Sequence, residues 1–144
     1  MIAVDTNLLV YSHRRDSEFH EAAHASLQQL AESRSSWAIP WPCVHEFLAI
    51  VTHARIYDPP TPLEQALAQV EAWLDSPSLV VLSETADYWS ELRNTLSNAG
   101  VTGAKIHDAR VATLCIASGV RTLWTADRDF SRFADLQVQN PLVA

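Results

Sequence analysis

Short apolar runs alternate with amphipathic stretches along the chain. "IAV" at 2–4 has the pattern of a short buried strand, and "TNLLVYSH" behind it reads as a helical turn. Residues 18–33, "EFHEAAHASLQQLAES", carry Phe19, Ala23, Leu27 and Leu30 at i, i+4, i+8 and i+11, which predicts an amphipathic helix. "SWAI" at 36–39 reads as a second strand, and Pro40 and Pro42 then precede a mostly apolar helix at about 43–54. "DPPTP" at 58–62 breaks the chain and leads into a helix over 63–74, with Pro62 just ahead of its first turn. "LVVL" at 79–82 is a third strand. Residues 85–98 form a helix that Gly100 helps to end, and 104–118 form another, closed by Gly119. "RTLWT" at 121–125 is a fourth strand, and "LQVQ" at 136–139 is a candidate fifth. Short apolar strands separated by helices imply an α/β fold whose parallel sheet is covered on both faces. In such sheets ligands sit beyond the carboxyl ends of the strands.

Composition narrows this picture. A chain of 144 residues is read as one domain, 1–144, large enough to fold without a disulfide or structural metal. Cys43 and Cys115 are far apart, form no C-x-x-C pair and lie in apolar helical surroundings. Both read as buried thiols, which suits a reducing, cytoplasmic setting. No secretory leader is expected, because a strand already starts at residue 2 and an aspartate follows at position 5. No apolar run of ~20 residues is present, so no membrane span is expected. The formal charge of −7 argues against a protein held on nucleic acid by a broad basic face. It leaves room for an enzyme acting on nucleic acid whose acids converge on metal cations.

The placement of the acids is therefore informative. Asp5 directly follows the first strand, and Asp127 and Asp129 follow the fourth in "TADRDF". Glu46, in "CVHEFLAIV", is the only acid between Glu32 and Asp58. Asp108, in "KIHDARVATLCIA", is the only acid between Glu91 and Asp127. With Val111, Ala112 and Cys115, Asp108 forms an i, i+3, i+4, i+7 stripe, so a carboxylate occupies a packing face. Taken singly, each acid also reads as a helix cap or a salt-bridge partner, and Asp5 as the cap of the turn behind it. Taken together, they mark two strand ends and two helices able to lean over those ends. If they converge, each like-charge pair at ~4 Å repels by ~4 kcal/mol at an effective dielectric of 20. Such a cluster takes up protons or binds cations, and oxygen-only ligands suit Mg²⁺ or Mn²⁺ better than zinc.

"VDTNLLVY", the solitary Glu46 in a helix after the second strand, "HDARVATLCIASG" and "LWTADRDFSRF" together resemble the PIN domain, most closely the VapC-type toxins of bacterial toxin–antitoxin pairs. The likeness runs nearly end to end in order and spacing. It implies a three-layer α/β/α fold with parallel strands in order 3-2-1-4-5, and Mg²⁺- or Mn²⁺-dependent cleavage of RNA. By motif position, Asp5, Glu46, Asp108 and Asp127 match the acidic metal-binding quartet. Asp129 matches an auxiliary acid, Thr125 the hydroxyl beside the cluster, and Asn7 a polar neighbour of the first aspartate. In this reading a water acidified by metal attacks the phosphorus in line, Glu46 or Asp127 takes its proton, and the products carry 5′-phosphate. Thr125 and Asn7 orient the carboxylates. The family also implies a VapB-type antitoxin that wraps an apolar groove, and a homodimer.

Arg14, Arg15, Lys105, Arg110, Arg128 and Arg132 lie near the ends of the same elements and are candidate contacts for the RNA backbone, or else solvated charges. Trp41 and Trp124 either stack on bases or pack in the core. His107 is a substrate contact or a helix-terminus residue. Two other function classes compete. His20-Glu21-x-x-His24 spells the H-E-x-x-H of a zinc hydrolase, with Glu46 as a possible third ligand. That reading leaves Asp5, Asp108 and Asp127 without a role, and the bland alternative is a solvated helix. A receiver-like signalling module would want a lysine after a late strand, whereas the only lysine, Lys105, precedes a helix. A non-catalytic RNA-binding domain is the remaining alternative.

Overall fold

A computed structural model describes residues 1–143. Its elements run β1 (Ile2–Val4), α1 (Thr6–His13), α2 (His20–Glu32), β2 (Trp37–Pro40), α3 (Trp41–Val51), α4 (Leu63–Leu74), β3 (Leu79–Leu82), α5 (Tyr88–Ala99), α6 (Ile106–Ala117), β4 (Thr122–Trp124) and β5 (Gln137–Gln139). Single 3₁₀ turns at Gly103–Lys105 and Arg128–Arg132 complete the chain. Every strand pair is parallel, and the order is β3-β2-β1-β4-β5.

That order dictates the layers. From β1 to β2 to β3 the chain steps in one direction, and from β3 to β4 to β5 it steps back. Right-handed crossovers therefore place α1–α4 on one face and α5–α6 on the other. The direction reverses between β1 and β4, where the carboxyl ends of the strands open a crevice. Asp5 N–H donates to Trp124 O at 3.0 Å and ties the two strand ends together there.

Several element ends differ from the periodicity. The second helix begins at His20, behind a turn, and Phe19 is 36% exposed while Ala23, Leu27 and Leu30 are buried. The third helix starts at Trp41, because Pro42 sits in the first turn, where no intrahelical N–H is needed. It ends at Val51, with turns linking His53 to Ile56 and Tyr57. The fifth helix begins at Tyr88; residues 85–87 form a turn in which Tyr88 N–H reaches Thr85 O. It ends on Gly100, whose φ of 64° is a left-handed cap. The stretch 104–118 divides into a 3₁₀ turn and α6, with Asp108 in the first turn of α6.

The core is built from Leu8, Leu9, Trp37, Ile39, Phe47, Leu114, Leu123 and Phe130. Cys43 and Cys115 are buried free thiols, and burial raises the Cys115 thiol to about 12. The sheet is not fully covered at its edge. Val80 of β3 is exposed, because an edge strand has one neighbour and one open flank. Among the described residues no helix is long and apolar enough to cross a membrane.

Candidate active site

Asp5 is 7% exposed and caps α1. Its Oδ1 accepts the Thr6 N–H at 2.8 Å and the Cys43 thiol at 3.6 Å. Its Oδ2 accepts the Thr125 hydroxyl at 2.8 Å and Asn7 Nδ2 at 3.3 Å. The carboxylate that caps α1 is thus also the one that Thr125 and Asn7 hold. Burial raises its pKa against the pull of these donors, and the charge of Asp108 pushes it further.

Thr125, fully buried at the end of β4, is the hinge of the site. Its Oγ accepts the Asp127 N–H at 3.0 Å and Asn7 Nδ2 at 3.1 Å. Asn7 Oδ1 accepts the Ala126 N–H at 3.2 Å, so one side chain staples α1 to the loop after β4. Asp127 in turn caps the 3₁₀ turn behind it, its Oδ1 accepting the Asp129 N–H at 2.9 Å.

Carboxylate oxygens of Asp108, Asp127 and Asp129 lie within 4.8 Å of one another. Partial burial raises the Asp108 carboxyl, and the charges of Asp127 and Asp129 raise it further. Lys105 Nζ pairs with Asp129 and lies 3.8 Å from Asp108 Oδ2. That pairing holds the Asp129 carboxyl below its ordinary value. Glu46 projects from α3 as an exposed residue. Burial raises its carboxyl first, then the charges of Asp5 and Asp108, while His107 opposes them. The acids therefore form a graded set. Asp5 is buried, Asp108, Asp127 and Asp129 are drawn together, and Asp5 and Glu46, outside that close group, feel the charge of Asp108.

The donor set fits a hard divalent cation. Every charged donor in the cluster is an oxygen, the spacing is short, and the cations facing it, Lys105 and Arg132, lie at its Asp108–Asp129 side. The H-E-x-x-H helix does not fit zinc. The His20 and His24 rings, 5.6 Å apart, and the His20 Nδ1 contact with Tyr11 O at 3.1 Å are compatible with a metal, so the missing third ligand decides. Among the described residues no third donor gathers with the two histidines, and Glu46 lies within reach of the charges of Asp5 and Asp108. The zinc reading is therefore replaced by a surface helix whose Ala23 face packs inward.

The six cations separate. Arg14 is a structural residue rather than a free phosphate contact. Its guanidinium pairs with Asp16 at 2.6 Å, donates to Thr61 at 3.2 Å and stacks 4.2 Å over Tyr57. Arg15 lines a cavity with His13, Asp16, Thr61 and Gln69, to which none of the clustered acids contributes. Arg132 Nε donates to Asp129 O at 3.2 Å, Arg128 is exposed beside Asp127, and Arg110 lies 3.9 Å from Glu84. Trp124 is in the core, whereas Trp41 is 37% exposed. Sequence reasoning treated Cys43 as a mere buried thiol and missed its bond to Asp5. The available signal was its position three residues before Glu46, on the same side of α3.

The PIN domain profile matches residues 2–136. The chain is 32% identical over 142 residues to ribonuclease VapC43 of Mycobacterium tuberculosis, covering 99% of this chain and 96% of that one. It is 30% identical to ribonuclease VapC33 of the same organism, covering 99% of both. Among solved structures, VapBC2 from Rickettsia felis bound to a promoter DNA fragment shares the fold with a TM-score of 0.68 at 24% identity, covering 97% of this chain and 98% of that one. FitAB bound to a DNA fragment superposes with a TM-score of 0.69 at 20% identity, covering 100% and 97%. The chain belongs to the PIN-domain family, among the VapC ribonucleases.

Proposed function

We propose that this protein is the toxin of a VapBC-type pair, an endoribonuclease of the cytoplasm that hydrolyses RNA phosphodiester bonds with Mg²⁺ or Mn²⁺. The observation that carries the reading is the convergence of Asp108, Asp127 and Asp129 beside the buried, fully hydrogen-bonded Asp5. When bound, the cation supplies an acidified water and a Lewis acid for the charge that develops on phosphate oxygens.

The chain's own groups perform the rest. Asp5, Asp108 and Asp127 would hold the cation, with Asp129 as an auxiliary acid. Thr125 and Asn7 fix the Asp5 carboxylate and the Asp127 loop as one unit, so the ligands are set before substrate arrives. Glu46 takes the proton of the attacking water. It is exposed, its pKa is raised toward working pH, and Asp127 Oδ1 is already committed to a backbone N–H. Lys105 spans Asp108 and Asp129 as an internal counter-ion that a bound cation would displace, which would free its ammonium for a substrate phosphate. Arg128 and Arg132 stand at the same rim and steer the RNA backbone. The solved relatives that pair VapC with VapB support a VapB-type antitoxin as partner, and the family supports a homodimer.

Purified protein freed of antitoxin, incubated with mixed RNAs in Mg²⁺, Mn²⁺ or EDTA, tests this. Cleavage is expected with either metal and is expected to vanish in EDTA and in Asp5→Ala. Cleavage that persists in EDTA or in the variant overturns the mechanism.

A further inference from the structure

A second feature lies along the same carboxyl edge of the sheet. Trp41 and Pro42 directly follow β2, and Ser83 and Glu84 directly follow β3. With Arg110 and Leu114 of α6 they line a cavity of about 340 Å³. The acids of the active site follow β1 and β4. Neighbouring strands are about 4.8 Å apart, so the cavity lies roughly two strand spacings from the acidic cluster. A single RNA strand crossing this edge from β4 toward β3 would pass from one to the other.

The lining is unusual for a surface. Trp41 is 37% exposed, whereas Trp37, at the start of β2, is 1% exposed and serves the core. The Trp41 indole is stacked on His45 with the rings 29° apart, which holds its plane. Arg110 and Glu84 face each other at 3.9 Å, beyond hydrogen-bond range, and both remain substantially exposed. A loosely held guanidinium and carboxylate present donors and acceptors side by side next to an aromatic plane. Guanine is the base whose edges match this pair. Its O6 and N7 accept from arginine, and its N1–H and N2–H₂ groups donate to a carboxylate.

We propose that the Trp41–Glu84–Arg110 cavity is a nucleobase subsite that takes a guanine flanking the scissile phosphate. This rests on the ribonuclease reading above. Trp41 stacks on the base, Arg110 reads its acceptor edge, and Glu84 reads its donor edge. Glu84 excludes uracil and cytosine in part by leaving its carboxylate without a pair of donors, a penalty on the wrong base.

The test has two arms. In the first, Asp5→Asn protein binds labelled uridine oligomers that carry one guanine, one inosine or neither, read by fluorescence anisotropy. The guanine oligomer is expected to bind about tenfold more tightly than all-uridine. Inosine, which lacks the 2-amino group, is expected to lose most of that gain. Trp41→Ala is expected to weaken binding about tenfold, and the exposed Glu84→Gln to erase the guanine-over-inosine preference. In the second arm, cleavage sites of the active protein are mapped on mixed-sequence RNA and are expected beside guanines. Equal affinity for guanine and uridine oligomers, with cleavage sites unmoved in Glu84→Gln, overturns the subsite and leaves the ribonuclease reading standing. Failure of the unsubstituted protein to cleave any RNA with metal overturns that reading itself. A Trp41→Ala protein that changes its mass in light scattering while guanine preference is unaltered assigns the face to a second copy of the chain and also overturns the subsite.

Discussion

The Thr125 hydroxyl donates to Asp5 Oδ2 at 2.8 Å, and the same oxygen accepts the Asp127 N–H at 3.0 Å. One buried side chain thus couples the end of β1 to the loop after β4. Thr125→Val keeps the shape and removes both bonds, together with the one from Asn7 Nδ2. It is expected to cost about 1–3 kcal/mol in urea unfolding, the range for stranding buried polar partners. Mn²⁺ affinity, read by calorimetry, is expected to fall with it, and Thr125→Ser to recover most of both. A valine variant as stable and as tightly metal-binding as the parent would falsify the coupling.

The raised carboxyls give a pH signature. Burial holds Asp5, Glu46 and Asp108 above their ordinary values in the folded state. The folded protein therefore binds protons that the unfolded chain has already released. For these groups stability is full below about pH 4, the unfolded carboxylate range, and is lost as pH rises through the folded values. Asp16 and Asp129 act with the opposite sign, held low by Arg14 and Lys105. Their share is lost only as pH falls below the ordinary range, so the two windows do not overlap. Thermal melts in EDTA are expected to show Tm falling from mildly acidic to neutral pH, and saturating Mn²⁺ to flatten the slope. A Tm that climbs with pH in EDTA contradicts this.

Asp108 sits among like charges that Lys105 and, more weakly, Arg132 offset in part. Asp108→Asn removes one of the repelling charges. In metal-free protein it is expected to raise Tm by a few degrees, about what 1 kcal/mol yields at this size. The same variant is expected to lose the further Tm rise that Mn²⁺ gives the parent. A lowered Tm would mark Asp108 as a structural acid.

Lys105 competes with a cation for Asp108 and Asp129. Lys105→Ala is expected to tighten Mn²⁺ binding several-fold without RNA, while lowering kcat/KM for RNA at saturating Mn²⁺. If Mn²⁺ affinity is unchanged, Lys105 is not the counter-ion of this site.

The histidine helix is expected to be dispensable for chemistry. Protein with both His20→Ala and His24→Ala is expected to keep metal-dependent RNA cleavage and to carry no stoichiometric zinc by elemental analysis. Loss of the contact between His20 and the Tyr11 carbonyl is expected to cost about 1 kcal/mol at most. Zinc bound by the parent and lost in the variant would restore the hydrolase reading.

Much of the fold was legible because local rules decide it. Apolar runs of three or four residues make strands, i, i+4 stripes make helices, and Gly100 with a φ of 64° ends one of them. Helix starts were less legible, since Pro42 breaks an interior but fits a first turn, and only the chain's path distinguishes the two. The acids Asp5, Glu46 and Asp108 stood out because each is alone in an apolar setting, a costly placement that invites a reason. The strand order came from resemblance, since periodicity carries no information about which strand pairs with which.

What the sequence determined by itself was the set of elements and the isolated acids, because burial pattern and charge are written residue by residue. Tertiary structure alone decided how those acids are graded: Asp5 buried under four donors, Glu46 left open, Lys105 laid across Asp108 and Asp129. It also decided that Arg14 is spent on Asp16, that Cys43 serves Asp5, and that Trp41 faces a cavity. These are relations between groups up to 120 positions apart in the chain. Their energies depend on distance and desolvation, which exist only once the chain has closed.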